Sequence, residues 1–303
     1  MIERPDPTAY ASHTAYSDPG RYRGLLAALP TEPAALSAVA RNVIVHYRAS
    51  ACELPESSRD DIDGRWLEVM LATDQGRHPI PLTEPRPEPE RVQGCCRDHT
   101  LFCVGALRTQ RVPARSRVGF AGYFVDGWHH DHVIVEAWLD GRWRRFDSEI
   151  EHGSPALPEP MDLAFDSATG PGFVTAAEAW RAHRRGEIDA DRFGVDPDLP
   201  FLAGPRFLFD EVIYEVAHRY GDELLLWDGW GRIGGPENPL ADEDADWLDP
   251  VADALLLADA GDEVAERELF ERYRADDGLR PGATVIKGSP YGLPPVEVSL
   301  VRA

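Results

Sequence analysis

The chain has 303 residues, enough for one large domain or a core with a long extension, and 43% hydrophobic residues with 9% aromatics supply a sizeable core. A formal charge of −22 excludes sequence-independent binding to nucleic acid or anionic lipid, both of which need basic surface. No apolar run approaches the ~20 residues that cross a bilayer, so no membrane partner is expected.

The opening Met1-Ile-Glu-Arg-Pro-Asp-Pro7 lacks the basic and apolar regions of a secretory signal, and a cytoplasmic protein is the expectation. Lys287 is the single lysine among 31 basic residues, a usage that GC-rich bacterial coding explains. Without a secretory signal, the four cysteines (Cys52, Cys95, Cys96 and Cys103) read as free thiols rather than a disulfide framework.

Residues 1–30, rich in Pro, Tyr and Ser, predict an N-terminal arm. Pro33 with Leu36, Val39, Ala40 and Val43 predicts a helix from Thr31 to about Tyr47, and Ile62, Trp66, Val69 and Met70 a weaker one over 59–73. Five prolines in 78–90 predict an extended connection. A helix then runs from near Cys96 to about Gln110, with Leu101, Val104 and Leu107 buried and Pro113 enforcing its end. A strand at Ala114–Phe120 and a Gly- and aromatic-rich loop at 121–130 lead into a hairpin: Asp131–Leu139, the turn Asp140-Gly141, and Arg142–Asp147. Farther on, Thr175-Ala-Ala-Glu178 is a capping box opening a helix to about Arg185. Further helices are predicted at 206–220, 250–260 and 262–275, with an acidic, Pro-rich loop over 234–249. Its acidic run 241–249 reads as solvated surface.

Chemistry concentrates in Gly94–Asp147. Gly94-Cys95-Cys96-Arg97-Asp98 is followed by His132-Val-Ile-Val-Glu136 and then by Gly141-Arg-Trp143-Arg-Arg-Phe146-Asp147. A thiol, an imidazole and a carboxylate brought together form a nucleophilic site. A two-residue turn at Asp140-Gly141 sets Leu139 opposite Arg142 and Asp147 opposite Ile134, on the same sheet face as His132 and one diagonal step away. In that register Glu149 faces His132 directly and is the rival carboxylate. Cys96 at a helix N-terminus sits at the positive end of the helix dipole, which favours thiolate.

With Val112-Pro113-Ala114-Arg115 as a further piece, this order resembles the transglutaminase-like superfamily of papain-like cysteine enzymes. The resemblance covers about residues 60–150. It implies an α+β fold in which a helix bearing the Cys packs on an antiparallel sheet bearing His and Asp, and it selects Cys96, His132 and Asp147 as the triad. The expected domains are the arm (1–30), the catalytic core (31–154) and a mainly helical extension or subdomain (155–303). The implied reaction is thiol-mediated acyl transfer from a small-molecule or peptide donor to water or an amine, without a cofactor. A side-chain oxyanion donor is expected in such enzymes, and Gln93 and Trp66 are candidates, while Glu136 and Glu149 stand near the triad in sequence. Trp128, His129 and His130 precede His132 and are candidates for the substrate cleft.

Bland readings stand beside these. Cys52 and Cys103 read as core cysteines, and Arg115 with Glu136 as a structural ion pair. No Asp-x-Asp-x-Asp-Gly loop is present, so calcium is not expected. Two other classes remain open: an idle scaffold whose acidic helical half binds a partner, and a structural zinc protein using Cys96, His99 and Cys103 on one helix face with His129, His130 and His132 downstream.

Overall fold

The computed structural model describes residues 7–155, 157–163, 168, 170–235 and 238–302. Residues 1–6 of the expected arm and 236–237 of the expected acidic loop lie outside the described residues. The fold is α+β. It divides into two compact units, Met1–Ser116 with Val133–Leu163, and Arg117–His132 with Ala164–Ala303.

In the first unit the N-terminal segment is packed rather than projecting, with Tyr10, Tyr16, Leu26 and Leu29 buried. It includes the short α1 (Arg23–Ala27) and leads to α2 (Pro33–Val43), which starts on Glu32, whose carboxylate accepts from the Ala34 and Ala35 N–H groups. The predicted helix to Tyr47 ends earlier, because Ile44–His46 form strand β1. A 3₁₀ turn over Glu56–Asp63 precedes α3 (Leu67–Arg77). Strand β2 (Val92–Gly94) pairs in parallel with β1 and feeds directly into α4 (Cys96–Thr109).

Strand β3 (Ala114–Val125) runs past the predicted Phe120, and β4 (Trp128–Leu139) starts before the predicted Asp131. The expected 121–130 loop is therefore mostly strand, with Gly127 in the left-handed region at φ 72° in the turn. Its aromatic and β-branched residues suit a pleated surface better than a loop. Strand β5 (Arg142–Phe146) pairs with β4 in the predicted register: Leu139 faces Arg142, Trp138 faces Trp143, Glu136 faces Arg145 and Val135 faces Phe146. Asp140 and Gly141 at the turn have φ of 52° and 78°, the pair of positive angles a type I′ hairpin needs.

The second unit contains β6 (Phe173–Thr175), α5 (Ala176–Arg184) and β7 (Phe193–Gly194). The Thr175–Glu178 capping box forms as read. The sheet order is β5-β4-β3-β6, with β7 alongside β4. Helix α6 (Pro205–Arg219) ends before Gly221, and strand β8 (Asp228–Gly229) follows. Helix α7 (Asp242–Asp259) starts well before the predicted 250 and carries Pro250 inside it. The acidic run expected as solvated surface is its first half. Asp242, Glu243 and Asp244 meet the positive helix terminus, and Asp244, Asp246 and Asp249 pair with Arg232, Arg184 and Arg181. Helix α8 (Glu263–Ala275) follows. Strands β9 (Thr284–Lys287) and β10 (Val296–Ser299) join β8 in a small antiparallel sheet that sequence periodicity did not announce. Among the described residues no helix is long and apolar enough to cross a membrane.

Candidate active site

The site is built around the start of α4. Gly94 occupies a position where any Cβ would lie 2.8 Å from the Asp98 carboxylate and 3.0 Å from Ile44 Cγ2. Only glycine lets β2 turn so tightly into the helix. The Asp98 carboxylate accepts from the Cys95 N–H at 2.9 Å, one half of a capping box, and its other oxygen takes Arg97 Nη1 at 2.8 Å. Arg97 is itself buried and donates to the Arg65 carbonyl. Every member of the Gly-x-Cys-x-Asp spacing thus has a mechanical task in fixing Cys96 as the first helical residue.

Cys95 is therefore the N-cap. Its thiol interacts with that of Cys96, which would draw its pKa down, but burial and the Asp98 carboxylate leave it raised overall. Cys103, one of the two expected core cysteines, is pushed up to about 12 by burial. Neither is an available thiolate. Cys96 is 5% exposed.

Helix α4 is tied to the histidine strand by Thr100, one turn beyond Cys96, whose Oγ1 donates to the Val133 carbonyl at 2.8 Å. Val133 follows His132 directly in β4, so this bond fixes the height of the imidazole along the helix. His132 is 3% exposed.

The segment after β5 is pinned from several sides. Arg41 donates to the carbonyls of Ser148 and Ile150, each at 3.1 Å, and the Asp147 N–H donates to Pro160 O at 2.8 Å. Asp147 lies one residue past the strand and is fully buried, its carboxylate accepting from the Glu149 N–H at 2.9 Å. Glu149 turns inward, 3.2 Å from His99 Nδ1. Burial alone would lower the His99 pKa, but Glu149 outweighs it, so the ring takes up a proton more readily than usual.

One Cys96 sulfur, one His132 ring nitrogen and one Glu149 oxygen all lie within 4.8 Å of one another. Among the described residues this is the cluster whose spacing would accept a metal ion; it keeps Cys96 and His132 of the cysteine–histidine set weighed from sequence, with Glu149 in place of His99 and Cys103. His99 is instead held by Glu149 and the Cys95 carbonyl, and Cys103 is buried.

Several candidate residues are committed elsewhere. The Gln93 amide nitrogen donates to Pro55 O at 2.9 Å and to Ser58 Oγ at 2.7 Å, which occupies both of its protons and leaves none for an oxyanion. Trp66 is the half-buried residue preceding α3, and its carbonyl accepts from Val69 and Met70. Glu136 is buried between Arg115 at 2.5 Å and Arg145 at 2.9 Å, with Arg115 stacked over Trp143, so the structural ion pair is the correct reading. His129 stacks flat on Phe193 with ring centroids 4.2 Å apart, on the opposite strand face to His132. His130 and Trp128 share the His132 face by the two-residue period of β4, and their rings meet each other at 6.4 Å.

Arg41 went unnamed as a site residue in sequence, His99 was weighed only as a zinc ligand, and Phe124 was hidden in the supposed loop. For His99 the signal was its place one helical turn beyond Cys96. Phe124 offered none, since its ring lies 5.1 Å from His132 only because the loop is strand.

Residues 83–148 match the family model described as the transglutaminase-like superfamily. No curated protein sequence matches the chain. Among solved structures, the chain is similar to a crystal structure of a candidate cysteine protease from Cytophaga hutchinsonii, at 18% identity and a TM-score of 0.27. The similarity covers 46% of this chain and 40% of that one, so it spans about two fifths of the solved structure's length. The family match encloses the cysteine helix and the histidine hairpin and ends one residue past Asp147. Over residues 83–148 the chain is similar to the transglutaminase-like superfamily.

Proposed function

We propose that this protein is a cysteine-dependent acyl-transfer enzyme. The observation that carries the reading is the approach of the Cys96 sulfur, a His132 nitrogen and a Glu149 oxygen to within 4.8 Å at a helix N-terminus. Cys96, as thiolate, attacks the carbonyl of an amide, ester or thioester. His132 passes its proton to the leaving group, which departs and leaves an S-acyl enzyme. Water or an amine then attacks, giving its proton back to His132 as the C–S bond breaks. Asp147 orients the imidazole and supports its charged form, and the helix dipole of α4 favours the thiolate. No cofactor takes part.

The test is the rate of Cys96 alkylation by iodoacetamide as a function of pH. A fast phase with a midpoint well below the ordinary ~8.5 is expected. Cys96→Ala abolishes that phase and Cys95→Ala leaves it. A slow reaction with an ordinary midpoint, or a fast phase that survives Cys96→Ala, overturns the reading.

The same cluster supports one second reading, since three such atoms could grip zinc. Stoichiometric zinc in freshly purified protein, with a Cys96 that iodoacetamide cannot reach, would favour it. Rapid labelling without turnover of any acyl donor would favour an idle scaffold.

A further inference from the structure

The hairpin that carries His132 also presents an aromatic surface which the chemistry above does not use. Phe124 is 40% exposed, although it is a large apolar residue. Its ring stands edge-to-face against His132 at 5.1 Å and against His130 at 5.6 Å. Tyr123 meets the same His132 ring at 6.3 Å, and the buried Trp128 closes on His130 from the other side. His130 and His132 alternate along β4 onto one face, so these rings form a continuous wall beginning at the imidazole.

Exposed apolar surface is ordinary on a protein when scattered. Here it touches the one ring assigned to proton transfer, so whatever covers it is held where the leaving group departs. A core role would bury Phe124, and its neighbour Val125 is also exposed. The back of the strand is closed to a ligand. His129 is stacked on Phe193, and a Cβ at Gly122 would come within 2.9 Å of His129.

We infer that Phe124, His130 and Trp128 form the substrate-binding platform, and that the acyl donor carries a flat apolar group beside its scissile carbonyl. The inference rests on the acyl-transfer reading for its occupant. A ring laid on this wall is held by apolar burial and edge-to-face contacts, which reject a donor with no side chain there.

Binding is measured on the Cys96→Ala protein, where no reaction can occur, with N-acetyl-L-phenylalaninamide and N-acetylglycinamide as probes in an NMR titration. The aromatic amide should bind at least tenfold more tightly, as expected for covering one aromatic group. Adding Phe124→Ala should reduce that preference at least tenfold, while Phe124→Leu retains part of it and shows that the fold survives. Equal affinity for the two amides, binding of neither, or a preference untouched by Phe124→Ala overturns the inference. Because the probes are not turned over, this result is independent of the alkylation experiment, which alone decides whether Cys96 is an activated nucleophile.

Discussion

At the residue scale, Glu149 and Asp147 are two carboxylates with different surroundings. Glu149 has an oxygen within 4.8 Å of both sulfur and ring, so its charge opposes the thiolate while supporting the imidazolium. At that distance a unit charge is worth about 1–3 kcal/mol between aqueous and near-surface screening. Glu149→Gln should therefore shift both limbs of the Cys96 alkylation profile to lower pH, by roughly half a unit or more. Asp147 is fully buried just past β5, and in the proposed role it acts on the imidazole alone. Asp147→Asn should raise the thiol midpoint and lower that of the imidazole, narrowing the reactive window instead of moving it. Identical profiles for the two variants would contradict this division of labour. His99 enters only the first test, because Glu149 raises its pKa and Glu149→Gln removes that partner as well.

At the element scale, the β2–α4 junction is where sequence spacing became geometry. A methyl at Gly94 would meet Asp98 and Ile44 at 2.8–3.0 Å, with β1 behind it and the capping carboxylate in front. Gly94→Ala should destabilise the protein by about 1–3 kcal/mol, as overpacking does, and raise the midpoint of Cys96 alkylation by tilting the first helical turn. An unchanged melting temperature would mean that the junction yields freely. This junction and the β4–β5 hairpin were legible because each is set by local rules. A helix cap needs its glycine and acid, and a two-residue turn needs positive φ at Asp140 and Gly141, which then fixes every facing pair to Val135–Phe146. Glu149 was legible as a carboxylate facing His132, but the hold on its segment was not. It depends on Arg41 gripping the Ser148 and Ile150 carbonyls from α2, more than a hundred residues earlier in the chain. The 121–130 stretch was misread for a related reason: His129 and His130 are strand residues because β7 pairs with them. The early start of α7 likewise depends on Arg181, Arg184 and Arg232 being placed to neutralise its acidic first turns.

At the scale of the whole molecule, an acidic chain has buried some of its acids, and the cost should be visible in its stability. Helix α6 carries Asp210, Glu211 and Glu215 inward, all buried. Glu215 has Arg117 at 2.8 Å and the Ala177 N–H at 2.8 Å, yet burial still pushes its pKa up to about 7. Asp210, held by Arg206 and the Gly234 and Gly235 N–H groups, is raised by burial to about 6. Glu211 is raised furthest in character: burial comes first, then the charges of Asp131, Asp210 and Glu215, and its Oε2 has no hydrogen-bond partner. The folded protein keeps a proton on Glu211 that the unfolded chain releases near pH 4.5. Unfolding therefore releases a proton at any pH between those two values. The contribution of this group to stability is fully present below pH 4.5 and declines as pH rises, until its folded pKa is passed. Replacing Glu211 by Gln or Met removes that decline. Each variant should match wild type near pH 4.5 and exceed it by a growing margin in Tm as pH rises toward 7–8. Thermal melts of wild type and the two variants across pH 4.5–8 measure it. A constant difference between the curves would mean that Glu211 is ionised in the fold, and that a cation or an unseen donor, rather than a proton, balances its charge.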